Sequence, residues 1–326
     1  MRILLTASTG LPREKIEEIT QALPEVECII VDDTLEAMRN AMPHTQALIG
    51  CPRPFFSKEL LELAGNSLRW IHVPGAGCEE FLIPELIESD VVLTNGRVIQ
   101  GPEVADHALA LLLTLTRNIH FVLRGTIGTT IARPSDKMMP RPVELRNKLA
   151  IVVGAGGIGM LIAERLHAFG MTVYGVDQEC IPMIRSIDRW YVPECLSEVL
   201  SLADVVILSV PVTSRTKKMF GAKEFALMKP SAYFVNVCRG AIVDTEALTE
   251  ALKQGRIKSA GLDVTDPEPL PVDHPLLNME NVVITPHIAG PSDNNRERSA
   301  ELIRQNIERF VKGFPLINVV NKKLGY

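Results

Sequence analysis

Long apolar runs are missing from this 326-residue sequence. Its most apolar segment, Ala108 to Leu115, lies between Asp106-His107 and Arg117. That is well short of the roughly 18 apolar residues a membrane-spanning helix needs, so no membrane association is expected. The opening Met1-Arg2-Ile3-Leu4-Leu5 turns polar at Thr6, too short an apolar stretch for a signal peptide. Cys-x-x-Cys pairs are missing as well. Cys28, Cys51, Cys78, Cys180, Cys195 and Cys238 stand apart, which argues against a zinc site or a disulfide framework and for a reducing cytoplasm. Blocks of like charge are absent, and a net charge of −5 spread along the chain leaves no electrostatic footprint for nucleic acid. Internal repeats and low-complexity segments are lacking too. What is present is an ordinary globular composition, 46% hydrophobic and 22% charged, at a length that favours two domains.

Short apolar runs alternate with segments of helical periodicity. Ile3-Leu5, Cys28-Val31, Ala47-Gly50, Trp70-Val73 and Val91-Thr94 read as strands, with helices over Arg13-Leu23, Leu35-Met42 and Lys58-Ala64 between them. The rhythm restarts at Leu149-Val153 and runs through Thr172-Val176, Val205-Ser209, Tyr233-Val237, Ser259-Val264 and Val282-Thr285. Such alternation predicts an α/β protein with two doubly wound, Rossmann-like parallel sheets covered by helices. The intervening region differs. Val104 to Leu123 reads as one long helix, apolar on nearly every side and therefore buried, either within the chain or against a partner subunit. Gly125 to Pro142, rich in Gly, Thr, Pro and Met, reads as an extended arm.

Immediately after the strand Leu149-Val153 stands Gly154-Ala155-Gly156-Gly157-Ile158-Gly159. A G-x-G-x-x-G in this place allows a tight turn at Gly154, backbone approach of a pyrophosphate at Gly156, and close helix–strand packing at Gly159. The helix that follows offers its N-terminal N–H groups to phosphate. Glycine turns are common, and the pattern gains weight from Asp177 at the end of the next strand. A carboxylate there accepts hydrogen bonds from the adenosine ribose and repels a 2′-phosphate. Neither Gln178 nor Glu179 supplies a cation, so NAD is expected rather than NADP.

Downstream, Val235-Asn236-Val237-Cys238-Arg239-Gly240, Leu262-Asp263-Val264-Thr265-Asp266-Pro267-Glu268-Pro269 and Thr285-Pro286-His287-Ile288-Ala289-Gly290 each follow the C-terminal end of a predicted strand. Ligands of open α/β sheets bind at that edge. Chemistry at that edge on a carbonyl next to a carboxylate needs a cation, which suits the planar, permanently charged guanidinium of Arg239. It needs a proton donor and acceptor, which suits His287, since imidazole titrates near neutrality. A partner carboxylate, Glu268, favours the imidazolium and so raises its pKa. Taken singly, each has a plainer reading: an ion-paired arginine, a solvated glutamate, a structural histidine. Their joint placement on strand ends favours catalysis.

With these motifs the sequence resembles the D-isomer-specific 2-hydroxyacid dehydrogenase family over nearly its whole length. The likeness extends to Ser209-Val210-Pro211 with Thr216, Met228-Lys229-Pro230, Asp244 to Leu252, Pro74-Gly75-Ala76-Gly77, and Asn95-Gly96 with Val104-Ala105-Asp106. The resemblance implies the same three roles for Arg239, Glu268 and His287. It further implies substrate carboxylate binding by backbone N–H groups around Ala76 and Gly77, and a nicotinamide carboxamide contact at Asp263. Cofactor contacts are implied at Gly154, Gly156, Gly157, Ile158, Gly159, Asp177, Val210, Pro211, Thr216, Val237, Cys238 and Gly290. It also implies a discontinuous substrate domain over 1–100 and 290–326, an NAD domain over 101–289, hinges near Gly96-Gly101 and Ala289-Pro291, and a homodimer built on the long helix and arm.

Two departures from the family pattern stand out: the arm lacks a Trp between Thr126 and Met139, and Cys78-Glu79-Glu80 replaces the acidic residue and Asn that often follow the Gly-x-Gly loop. His107, His120 and His167 fall on helices, where structural roles are expected. His72 and Arg53, near strand ends, are open to either a structural or a substrate role. Cys238 reads as a small buried residue beside the cofactor. The activity expected is interconversion of a short 2-keto acid and its D-2-hydroxy acid. An NADH-sensing scaffold like the C-terminal binding protein co-repressors, or phosphite oxidation on the same scaffold, would keep the same residues. Formate dehydrogenases carry Gln in place of Glu268.

Overall fold

Runs such as Ile3-Leu4-Leu5 and Val205-Val206-Ile207-Leu208 are apolar at successive positions and buried throughout, as expected where both faces of a parallel sheet are covered. A computed structural model describes residues 1–126, 141–180 and 185–326. The chain divides into two units, Met1–Gln100 with Pro291–Tyr326, and Gly101–Gly290.

In the first unit, β1 (Arg2–Thr6), α1 (Arg13–Ala22), β2 (Glu27–Val31), α2 (Leu35–Ala41), β3 (Ala47–Ile49), α3 (Lys58–Ala64), β4 (Trp70–Val73), α4 (Pro84–Glu88) and β5 (Val92–Asn95) alternate along the chain. The strands pair in parallel in the order β2-β1-β3-β4-β5. One face packs Leu4, Leu48, Ile71 and Leu93 with Leu60, Phe81 and Leu86. The other packs Ile3, Leu5, Ile49 and Trp70 with Ile16, Ile19, Ile303 and Ile307.

The second unit holds α5 (Gly101–Thr116), α6 (Ile119–Thr126), β6 (Leu149–Val153), α7 (Gly157–Ala168), β7 (Thr172–Val176), β8 (Arg189–Tyr191), α8 (Leu196–Leu200), β9 (Val205–Leu208), α9 (Ala222–Leu227), β10 (Tyr233–Asn236), α10 (Thr245–Lys253), β11 (Ser259–Leu262) and β12 (Val282–Ile284). Its described strands pair in parallel in the order β12-β11-β10-β9-β6-β7-β8. The first unit is completed by α11 (Asn295–Val311), whose Ile303 and Ile307 supply part of the core already noted. No helix of the described residues is long and apolar enough to cross a membrane.

One expectation is corrected, and one strand is added. The single helix over Val104 to Leu123 is two helices, broken where buried Asn118 takes φ +58°. Asparagine enters the left-handed region more readily than most residues and ends a helix there. Strand β8, only Arg189–Tyr191, was not foreseen, because three residues carry too little alternation to register. The buried face of α5 is met inside its own unit, where Ala105, Ala108, Leu112 and Leu115 pack with Ile162, Leu166 and Val235. A partner subunit is not needed to bury those side chains. The arm expected over Gly125 to Pro142 falls mostly on 127–140, outside the described residues.

His72 lies inside the first unit, fully buried, with Nδ1 2.8 Å from Thr94 Oγ1, and Trp70 Nε1 donates to the same hydroxyl. Burial lowers its pKa from 6.5 to about 3. An unfolded chain therefore binds one more proton between those values, and stability rises with pH by up to about 1.4 kcal/mol per unit across that window. His72→Gln is expected to flatten this dependence between pH 4 and 6 in urea titrations. A parent-like slope in the variant would assign the acid sensitivity elsewhere.

Candidate active site

The glycine loop follows β6 directly. Gly154 has φ +88°, and a Cβ there would sit 2.5 Å from Ser209 O. At Gly159 a Cβ would fall 1.9 Å from Gly154 O, so that only glycine lets α7 start so close to β6. Gly156 is different: a Cβ would meet nothing within 4 Å. Its place is N-cap of α7, and having no side chain it leaves the first-turn N–H groups of Gly157, Ile158 and Gly159 without a cap from that position. Open space at an uncapped helix N-terminus fits a pyrophosphate. Asp177, at the end of β7, turns its carboxylate to the same loop: Oδ2 accepts from Ala155 N at 2.8 Å and Oδ1 from Glu179 N at 3.1 Å.

Strand β9 lies beside β6 and delivers Val210, Pro211 and Thr216 to this edge. Val210 is a close neighbour of Gly154, and Thr216 Oγ1 closes the turn by donating to Pro211 O at 2.6 Å and accepting from Thr213 N at 2.8 Å. These residues therefore fit the adenosine and pyrophosphate half of a dinucleotide.

Consecutive strands β10, β11 and β12, in register at Asn236, Leu262 and Ile284, end together. Beyond β10, Asn236 Oδ1 accepts from Cys238 N at 3.1 Å while its Nδ2 donates to Arg239 O at 2.9 Å, which shapes the Val237-Cys238-Arg239 loop. Burial pushes the Cys238 thiol up to about 11, so it stays protonated and is a poor nucleophile. Gly240 brings the Arg239 loop against the next one: a Cβ there would lie 1.9 Å from Thr265 O. Thr245 Oγ1 also donates to Asp266 O at 2.5 Å.

Beyond β11 stands Glu268, and beyond β12 stands His287. His287 Nδ1 lies 2.7 Å from Glu268 Oε1, with both side chains close to half exposed. A carboxylate here accepts from Nδ1–H and so places the proton on that ring nitrogen. His287 has φ +54°, a sparsely populated conformation for a residue with a side chain.

Asp263, also beyond β11, is buried. Its Oδ1 accepts from Thr285 Oγ1 at 2.6 Å and Ile288 N at 2.9 Å, and its Oδ2 from Ala289 N at 3.0 Å, next to Gly290. Burial alone would raise its pKa. Hydrogen bonds from His107, Thr285, Ile288 and Ala289 outweigh it and hold the carboxyl down at about 2.

In the first unit, Ala76 and Gly77 lie in a loop at the C-terminal end of β4. Asn95 Nδ2 donates to Ala76 O at 2.7 Å, Gly96 N donates to Gly75 O at 2.9 Å, and a Cβ on Gly96 would lie 1.9 Å from Pro74 O. Arg53 is 3.6 Å from Glu80, an exposed ion pair.

Sequence reasoning gave no supporting role to Asn236, Gly240 and Thr285, and gave His107 a structural role without identifying its partner. Gly240 was legible as a glycine directly after the arginine. His107 was not, since its partner Thr285 is 178 positions away. Among the described residues, no cluster of His, Cys, Asp or Glu could hold a metal ion.

The chain is similar in sequence and fold to known proteins. The family model described as D-isomer specific 2-hydroxyacid dehydrogenase, NAD binding domain, matches residues 109–289. Glyoxylate reductase of Pyrococcus furiosus is 32% identical over 94% of this chain and 95% of its own. D-3-phosphoglycerate dehydrogenase of Methanocaldococcus jannaschii is 30% identical over 81% of this chain, which spans only about half (49%) of that protein. Among solved structures, D-lactate dehydrogenase of Aquifex aeolicus, complexed with NAD and lactic acid, superposes with a TM-score of 0.76 at 27% identity, covering 95% of this chain and 96% of that one.

Proposed function

The chain belongs to the D-isomer-specific 2-hydroxyacid dehydrogenase family, and from that premise we propose that it reduces a short 2-keto acid, of the glyoxylate or hydroxypyruvate class, to the D-2-hydroxy acid. Bound NADH supplies the hydride. Arg239 holds the substrate carboxylate and polarises the carbonyl oxygen, because a guanidinium can donate to two oxygens at once. His287 gives its Nε2 proton to that oxygen as the alcohol forms and takes one back in the reverse direction. Glu268, on Nδ1, stabilises the imidazolium that donates. Backbone N–H groups of Ala76 and Gly77 are assigned to the substrate carboxylate. The observation that carries this reading is the 2.7 Å His287–Glu268 pair on the strand edge that also bears Arg239. Similarity to glyoxylate reductases over nearly the whole chain supports the substrate class.

The test is NADH oxidation by purified protein with keto acids of two to six carbons. Turnover is expected to be highest with the shortest, and a flat, background response across the series would refute the proposal. Asp177 is assigned to the adenosine ribose, so NADH is expected to outperform NADPH. Asp177→Ala should narrow that preference by about 5- to 30-fold in kcat/KM, as lost repulsion of one charge near a phosphate is worth roughly 1–2 kcal/mol. An unchanged NADH-to-NADPH ratio would remove Asp177 from cofactor selection. A homodimer is proposed through this helical region, where Ile119 and Leu123 of α6 are 45% and 59% exposed. Light scattering giving a monomer's mass would dismiss it.

A further inference from the structure

We propose that His107 is a positioning residue for His287, holding the loop that carries the proton donor through Thr285 and Asp263. The proposal rests on the assignment of His287 as proton donor for its effect on rate, though not for its effect on the loop.

His107 stands on α5, in a different part of the fold from the strand ends. Its Nε2 lies 2.8 Å from Thr285 Oγ1 and 3.3 Å from Asp263 Oδ1. The direction of these bonds follows from proton counting. Thr285 has one hydroxyl proton, and at 2.6 Å it goes to Asp263 Oδ1, because a carboxylate can only accept. Toward His107 the hydroxyl therefore accepts, and Nε2 must carry the donating proton. The chain His107 Nε2–H to Thr285 Oγ1–H to Asp263 is thereby ordered in one direction.

What this chain holds is the backbone around the catalytic imidazole. Asp263 accepts from the N–H groups of Ile288 and Ala289, and its own carbonyl accepts from His287 N at 2.9 Å. His287 is thus flanked on both sides by groups tied to Asp263. Its φ of +54° persists only if neighbours over-determine it. At the far end, Arg165 on α7 bonds Asp106 at 2.6 Å and Pro102 O at 3.3 Å, which ties the first turns of α5 to α7. His107 touches no reacting atom in the mechanism. It acts by keeping Asp263 and Thr285 where they hold the loop.

The experiment compares His107→Phe, which keeps ring volume without the donor, with His107→Gln, whose amide N–H can take the place of Nε2–H. In the full-length protein, amide hydrogen exchange over 285–289 is expected to speed up at least about fivefold in the Phe variant and to stay near the parent in the Gln variant. Peptides from β6 and β7 should be unchanged in both. Turnover should fall about 10- to 100-fold in the Phe variant and recover in the Gln variant. Placed in a His287→Ala background, His107→Phe should bring no further loss, since the group it positions is gone.

Parent-like exchange over 285–289 in the Phe variant would overturn the proposal. So would failure of the Gln variant to recover, or a rate loss that adds fully to that of His287→Ala. A protein with no keto-acid reduction but with the expected exchange change would instead refute the proposed function and leave the loop's support standing.

Discussion

His287→Ala is expected to lower kcat for keto-acid reduction by about 10²- to 10⁴-fold, the range that general acid catalysis supplies, while NADH affinity read by fluorescence stays close to the parent value. The reason lies in how the ring is held. Nδ1 is committed to Glu268 at 2.7 Å, so the imidazole has one defined orientation and one nitrogen left to exchange a proton. Removing the ring takes away the proton donor without touching the glycine loop, whose geometry depends on Gly154, Gly159 and Asp177. Glu268→Gln should give a smaller loss, because the ring stays placed while the anionic partner is gone. If His287→Ala weakened NADH binding as much as it slowed turnover, the proton-donor role would be wrong and the residue would belong to the cofactor site.

A second large effect is expected at the glycines, where the geometry separates two kinds of failure. Gly159→Ala puts a methyl group 1.9 Å from Gly154 O, a backbone atom with no rotamer to move. The start of α7 must then pull away from β6, with a cost on the order of 1–3 kcal/mol or more and a lowered Tm. NADH binding is lost with it. Gly156→Ala puts its methyl in open space, so the fold and Tm should be kept. That space is what a pyrophosphate would occupy, and NADH affinity should drop by at least about tenfold, since one displaced charge-assisted hydrogen bond is worth about 1.5–3 kcal/mol. Thermal melts and NADH titrations of the two variants read both effects. Unimpaired NADH binding by Gly156→Ala would mean that the phosphates do not approach the backbone there.

Much of this was legible without coordinates, and the reason differs from feature to feature. Strands such as Trp70–Val73, Leu149–Val153 and Thr172–Val176 were read to the residue, because each is a short run rich in apolar and β-branched or aromatic residues between polar neighbours. The glycine loop was legible because each glycine answers a local steric demand within six residues. Arg239, Glu268 and His287 could be singled out because each stands in the loop after a strand, and strand ends converge on one edge. The break at Asn118 was missed for a physical reason. Leu111, Leu112, Leu115 and Phe121 keep up an apolar pattern through it, while the turn depends on one residue's backbone.

Local sequence, then, determined the alternation of strands and helices, the dinucleotide loop and the residue types at the strand ends. Those properties arise from interactions a few residues apart, where spacing along the chain is spacing in the molecule. Tertiary structure alone decided which helix backs the loop of His287, which glycine lets the Arg239 loop press against Thr265, and that His72 is buried beside Thr94 and Trp70. Each of these is a contact between segments tens to hundreds of positions apart, made when separate elements pack against one sheet, and no local pattern encodes it.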